Sequence, residues 1–231
     1  MQVQDCLKQG LCELENARYA HLAANGLNAC ALAISSIVGA GDHLIVSDAV
    51  YGPTRRYCET FMARMGVDVS FISPRIGAGV QSAIRPNTKA IFLEMPGSLT
   101  FEMSDPDAIL AVTKDYKIVS IVDNTWGAGI LFKPLDAGFD VAVQALTKYV
   151  VGHSDGFGGA VFTNNNHLSL QIEQTAQQWG ISLSAEDAYL CQRGLRSLKH
   201  RMKIQGENAV IIAKYLTNHS AVGDVHFPAL S

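Results

Sequence analysis

Five short apolar runs rich in valine and isoleucine punctuate the chain: HLIVS (43–47), VDVSFI (67–72), KAIFLE (89–94), KIVSIVD (117–123) and FDVAVQAL (139–146). Runs of this length that are apolar on both faces belong in strands buried on both sides, as in a parallel sheet layered between helices. The segments between and around them carry helical spacing. A helix is predicted over Leu27–Val38; Pro53–Met65 places a proline in a first turn with Tyr57, Phe61 and Met65 recurring behind it; and Asp105–Tyr116 opens with a capping aspartate followed by Pro106. Strands alternating with helices, joined by right-handed crossovers, predict an α/β fold around a mostly parallel sheet.

Composition agrees with a packed domain. Of 231 residues, 48% are hydrophobic and 17% charged, which is enough apolar matter for a sizeable core. The balance of 18 Lys plus Arg against 21 Asp plus Glu leaves a net charge of -3 and no basic stripe, so neither nucleic acid nor an anionic lipid surface is an expected partner. The first residues, MQVQDCLKQGLCELENARYA, read as part of a helix and lack the cationic cluster and apolar core of a secretory signal. The longest apolar stretch, Ala29–Val38, is interrupted by Ser35 and Ser36 and stopped by Gly39, short of the ~18 residues a membrane span needs. Five scattered cysteines (Cys6, Cys12, Cys30, Cys58, Cys191) without a Cys-x-x-Cys pair predict reduced thiols with structural roles and a cytoplasmic location.

After Gly152 the sequence turns to GHSDGFGGAVFTNNN and then to a long polar helical stretch, Ser184–Tyr215, that reads as one connecting helix. The remaining NHSAVGDVHFPALS is too short for a second domain. The expected organisation is a sheet domain over 1–195, followed by the connecting helix and the beginning of a further domain over 196–231.

Ligands of open parallel sheets sit beyond the carboxyl ends of the strands. There KIVSIVD ends in Asp123 and runs into Asn124, Thr125 and Trp126; FDVAVQAL leads to Thr147 and Lys148; HLIVS leads to Asp48, Tyr51 and Gly52. Gly26 opens the helix that follows Ala-Asn-Gly-Leu, and a helix start with free backbone amides can seat a phosphate. A phosphate seat, an aromatic ring, an amine and a carboxylate are the four things that pyridoxal phosphate requires. An amine forms a Schiff base with its aldehyde, a carboxylate keeps its ring nitrogen protonated, and an aromatic side chain stacks on the ring. Each residue taken singly also has an ordinary reading: Asp123 as a turn residue, Lys148 as a solvated lysine, Tyr51 as a half-buried core tyrosine, Gly26 as relief for a tight turn.

The run Gln144-Ala145-Leu146-Thr147-Lys148-Tyr149 with Gly152-His153-Ser154-Asp155 resembles the lysine signature of the pyridoxal-phosphate-dependent enzymes of cysteine and methionine metabolism. Asp123-Asn124-Thr125-Trp126 with Gly129, Ala49-Val50-Tyr51-Gly52-Pro53-Thr54, and Arg193-Gly194-Leu195-Arg196-Ser197-Leu198 resemble that family's pyridine-nitrogen, ring-stacking and connecting-helix motifs, in the same order. The resemblance implies the large domain of the aspartate-aminotransferase-like fold, known as fold type I, with pyridoxal 5'-phosphate as cofactor. It implies that Lys148 carries the cofactor and then acts as general acid and base, that Asp123 pairs with the ring nitrogen, and that Tyr51 stacks on the ring and assists catalysis. It gives the phosphate to the backbone amides of Gly26 and Leu27 and the hydroxyl of Thr147, with Asn124 a weaker candidate for a cofactor contact.

The segment Pro96-Gly97-Ser98 and the run Gln144-Ala145 resemble the beta-lyase branch of the family more than its gamma-lyases and gamma-synthases. That branch implies an amino-acid thioether, cystathionine, as substrate, a homo-oligomer as the assembly, and no metal. The resemblance also places the family's phosphate-clamping N-terminal arm and its carboxylate-binding C-terminal domain outside these residues, so no substrate-carboxylate residue is assigned. Three functions stay open at this stage: a carbon–sulfur beta-lyase, a cofactor binder without turnover, and an α/β interaction domain that keeps these residues as packing.

Overall fold

The structure is a computed structural model that describes residues 2–230. In chain order its elements are α1 (Gln2–Glu15), β1 (Tyr19–Ala23), α2 (Gly26–Ser35), β2 (His43–Ser47), α3 (Gly52–Arg56) continuing into a π-helical segment (Tyr57–Met62), and β3 (Asp68–Ile72). A 3-10 segment (Gly77–Ala83) precedes β4 (Thr88–Glu94), α4 (Pro106–Tyr116), β5 (Val119–Asp123), α5 (Pro134–Ala137), β6 (Val141–Gln144) and β7 (Gly159–Thr163). Three helices follow: α6 (Asn166–Trp179), α7 (Ala185–Leu195) and α8 (Leu198–Thr217).

The seven strands form one sheet in the order β1-β7-β6-β5-β4-β2-β3. Neighbours from β6 to β3 are parallel, while β7 runs antiparallel to both β6 and β1. The predicted α/β architecture with a mostly parallel sheet is therefore present. Its four central strands, β2, β4, β5 and β6, are buried on both faces, which is why they read as unbroken apolar runs rather than alternating ones. On one face Leu44, Val46, Phe92, Ile121 and Val161 pack against α2, the π-helical segment and α6. On the other, Ile45, Ile91, Leu93 and Val122 pack against α4, and Ala142 and Phe162 against α1, α7 and the start of α8.

Local chemistry sets the helix ends. Asn25 caps α2 by accepting the Asn28 N–H at 2.9 Å, and Asp105 caps α4 from the Ala108 N–H at 3.0 Å with Pro106 behind it. Helix α2 stops at Ser35 rather than at the expected Val38, because the backbone tightens there: the Ile37 N–H turns to the Ile34 carbonyl at 3.0 Å.

The predicted single helix Ser184–Tyr215 is two helices, broken at Arg196 and Ser197. In a continuous helix the Gly194 carbonyl would accept the N–H four residues on. Here it accepts the Arg201 guanidinium at 2.8 Å, the Ser197 hydroxyl at 3.2 Å and the Ser197 N–H at 3.1 Å. Gly194 also lies so close to the Val150 and Val151 carbonyls that a Cβ would overlap them. No helix among the described residues is long and apolar enough to cross a membrane.

Candidate active site

The carboxyl ends of β1, β2, β4, β5 and β6 point to one edge of the sheet, and the loops that leave them enclose a cavity of about 270 Å³. Gly26, Leu27, Tyr51, Asp123, Thr147 and Lys148, which the sequence singles out from four separate segments, all line it. The cavity continues into a wider cleft of about 850 Å³, the two sharing Glu94, Ser98, Thr125, Thr147, Lys148 and Phe157.

One end of the cavity is formed by the start of α2. Asn25 occupies the Asn28 N–H and the Asn25 carbonyl takes that of Ala29, so the Gly26 and Leu27 amides have no acceptor among the described residues. Two free N–H groups at the positive end of a 10-residue helix suit an anion. Gly26 is required by proximity: a Cβ there would run into the Cβ of Ala145, in the loop that leaves β6. The Leu27 side chain is itself exposed, which leaves its backbone amide as the group it can offer to an anion.

Asp123 also lines the cavity and is 7% exposed. Its Oδ1 accepts the Thr125 N–H at 2.9 Å and hydroxyl at 2.5 Å, and the Thr125 oxygen in turn accepts the Ala145 N–H at 2.8 Å. The Cys30 thiol donates to Oδ2 at 3.5 Å. Burial raises the Asp123 pKa against the lowering effect of the Thr125 hydrogen bonds. Beside it, Glu94 is pushed up to about 8, first by burial and then by the Asp123 carboxylate. Neither carboxyl is ion-paired among the described residues, so a cationic ring nitrogen against Asp123 would relieve an uncompensated buried charge.

Lys148 lies in the turn after β6, its backbone held by Lys148 N–H to the Ala145 carbonyl at 3.1 Å and Gly152 N–H to the Lys148 carbonyl at 2.9 Å. Its ammonium is exposed to the cavity and has no hydrogen-bond or ion-pair partner among the described residues. A fixed backbone with an uncommitted amine is what covalent attachment of an aldehyde requires. Tyr51 is 46% exposed at the start of α3, its ring at the cavity and its N–H donated to Glu94 Oε2 at 2.6 Å.

Two residues stand differently from expectation. The Thr147 hydroxyl lines the cavity but donates to the Gly158 carbonyl and accepts its N–H, each at 3.1 Å, so it closes the loop rather than offering a spare donor. The Asn124 side chain turns away from the cavity, donating at 3.0 Å to both Glu15 and the Phe132 carbonyl beneath the sheet edge. Glu94 and Cys30 are the site residues that the sequence reading passed over. Glu94 had a signal, a carboxylate at a strand's carboxyl end; Cys30 had none, since only the docking of α2 brings its thiol to Asp123.

Together the fold and the cavity define an α/β protein built to hold an anionic ring-bearing group between a helix start, a buried carboxylate and a free amine. Comparison with known proteins makes this specific: residues 2–231 match the Cys/Met metabolism PLP-dependent enzymes, and the chain belongs to that family. The cystathionine beta-lyase of Escherichia coli K12 is 38% identical over 226 residues, 97% of this chain and 57% of that one; three further bacterial cystathionine beta-lyases match at the same identity. An L-alanine/L-glutamate racemase of Wolbachia pipientis is 39% identical over 224 residues, 97% of this chain and 55% of that one. Among solved structures, a cystathionine gamma-lyase from Lactobacillus plantarum complexed with L-serine superposes with a TM-score of 0.93 at 33% identity, covering 96% of this chain and 58% of that one. The chain thus spans somewhat over half the length of the relatives it matches.

Proposed function

We propose that this chain forms the cofactor-binding part of a carbon–sulfur beta-lyase that takes cystathionine and water to homocysteine, pyruvate and ammonia. The observation that carries the reading is the convergence on one cavity of a free amine, a buried unpaired carboxyl and two free helix-start amides. The beta-lyase relatives and the Pro96-Gly97-Ser98 segment support the choice of reaction. When bound, pyridoxal phosphate supplies an aldehyde for an amino group and a ring that accepts the electron pair left by loss of the substrate's α-proton.

The residues then divide the work. The Gly26 and Leu27 amides would hold the phosphate, Asp123 would keep the ring nitrogen protonated, and Tyr51 would cover the ring. Lys148 Nζ would hold the aldehyde and serve as the base for the α-proton and the acid for the departing thiolate. Thr147 and Thr125 act indirectly, one by closing the loop that presents Lys148 and the other by orienting Asp123. We place the protein in the cytoplasm as a homo-oligomer; the free thiols and the exposed apolar residues of α8 support those two assignments.

The test is pyruvate release from cystathionine by the cofactor-loaded protein. The Wolbachia relative supports a second reading, racemisation, which begins with the same proton removal. Pyruvate that disappears in Lys148→Ala establishes the lyase. D-alanine formed from L-alanine without pyruvate establishes the racemase.

A further inference from the structure

Glu94 has no task in the proposed chemistry, yet it is the second carboxyl residue lining the cavity beside Asp123. It ends β4 directly opposite Asp123 in the parallel register of β4 and β5, so both carboxyls face the same side. Burying a second acid next to the first is unfavourable unless it is used, since an apolar residue would pack there without the charge.

Its contacts show where it is used. Glu94 Oε2 accepts the Tyr51 N–H at 2.6 Å, and Ser98 lines the same cavity. The Ser98 N–H donates to the Ala49 carbonyl at 2.7 Å, and Gly97 packs so close to this loop that a Cβ would lie 2.5 Å from that of Ala49. The end of β4 and the turn after it therefore grip the Ala49–Tyr51 backbone at three points. Tyr51 as a residue, by contrast, is 46% exposed, and its hydroxyl makes no hydrogen bond among the described residues. The position of the ring thus depends on its backbone, and the backbone depends on the hydrogen bond that Glu94 accepts.

We propose that Glu94 is the positioning residue for Tyr51, fixing its backbone so that the ring stands over the cavity lined by Lys148 and Asp123. The proposal rests on the reading of that cavity as the cofactor site. It assigns to the Pro96-Gly97-Ser98 turn the work of aiming the stacking ring.

Hydrogen exchange of the full chain, with and without pyridoxal phosphate, tests it. In Glu94→Ala the peptide spanning residues 48–56 exchanges faster by about three- to tenfold, the scale of one lost hydrogen bond, while β5 and β6 stay protected. Glu94→Gln, whose carbonyl still accepts the Tyr51 N–H, restores the slow exchange. With cofactor, the visible circular dichroism per bound molecule changes in Glu94→Ala and not in Glu94→Gln. In a Tyr51→Ala background Glu94→Ala adds nothing further to the circular dichroism change, because the ring being positioned is gone.

Unchanged exchange at 48–56 in Glu94→Ala, or additive circular dichroism changes in the Tyr51→Ala background, would overturn the proposal. If Glu94→Ala does not fold, Glu94→Met, which fills the space without an acceptor, takes its place, and wild-type exchange at 48–56 in that variant overturns it equally. A wild-type chain that takes up no cofactor would defeat the cofactor-site reading, while the exchange measurement still decides the positioning claim.

Discussion

Asp123 and Lys148 face the same cavity under opposite constraints. Asp123 is buried and held by three donors, so its replacement by Asn keeps the shape and the Thr125 contacts while removing a charge that burial disfavours. Asp123→Asn is expected to leave the cofactor-free chain as stable as wild type, or about 1 kcal/mol more stable, while weakening cofactor retention at least tenfold. Thermal melts and an absorbance titration measure the two quantities. Lys148 is exposed and unpartnered, so Lys148→Ala should change stability by less than about 0.5 kcal/mol while abolishing covalent attachment. Glu94 predicts a pH dependence as well. Its folded pKa of about 8 lies above the ordinary 4.5, so the folded chain binds the extra proton across that interval and stability falls as pH rises through it. His21, lowered by burial to about 4 from 6.5, acts oppositely but only below its ordinary value. Stability of the cofactor-free chain should therefore decline between pH 6.5 and 8, and Glu94→Gln should flatten the decline; a Glu94→Gln profile as steep as wild type would contradict this assignment.

Among the elements, the start of α2 makes the most specific demand. Gly26→Ala sets a methyl group against the Ala145 Cβ and pushes the helix start from the loop that carries Lys148. A loss of about 1–3 kcal/mol is expected, as for overpacking, together with loss of cofactor affinity; Ala145→Gly in the same chain should recover part of both. Denaturant titration of the single and double variants checks it. The five valine- and isoleucine-rich runs were legible because their strands are central or carry strong β-formers, and each coincides to within a few residues with one of β2 to β6. β1 was not legible: YAHLA has no β-branched residue and takes its place only by pairing with β7. GAVFT of β7 hides behind a glycine-rich loop and runs against the parallel rhythm. At the site, Lys148 and Asp123 could be read because each directly follows or ends an apolar run. The Glu94–Tyr51 hydrogen bond, the Cys30 thiol and the diversion of Asn124 to Glu15 depend on strand register and helix docking, which join residues 43, 93 and 109 positions apart.

As a whole molecule, the chain presents its apolar surplus along α8, where Ile204, Ile211, Ile212 and Tyr215 are between 57% and 65% exposed. With a net charge of only -3, little electrostatic repulsion opposes association through that face. Sedimentation velocity should show concentration-dependent self-association that Ile211→Lys with Ile212→Glu reduces; a monomer at all concentrations would count against it.

The central claim is that one cavity, assembled from the ends of five strands, places a single reactive amine against a cofactor. Borohydride reduction of the chain loaded with pyridoxal phosphate, followed by peptide mapping by mass spectrometry, tests it most directly. The account predicts one cofactor per chain, on Lys148 alone, and none in Lys148→Ala. An unmodified Lys148, or label spread over the surface lysines, would contradict it.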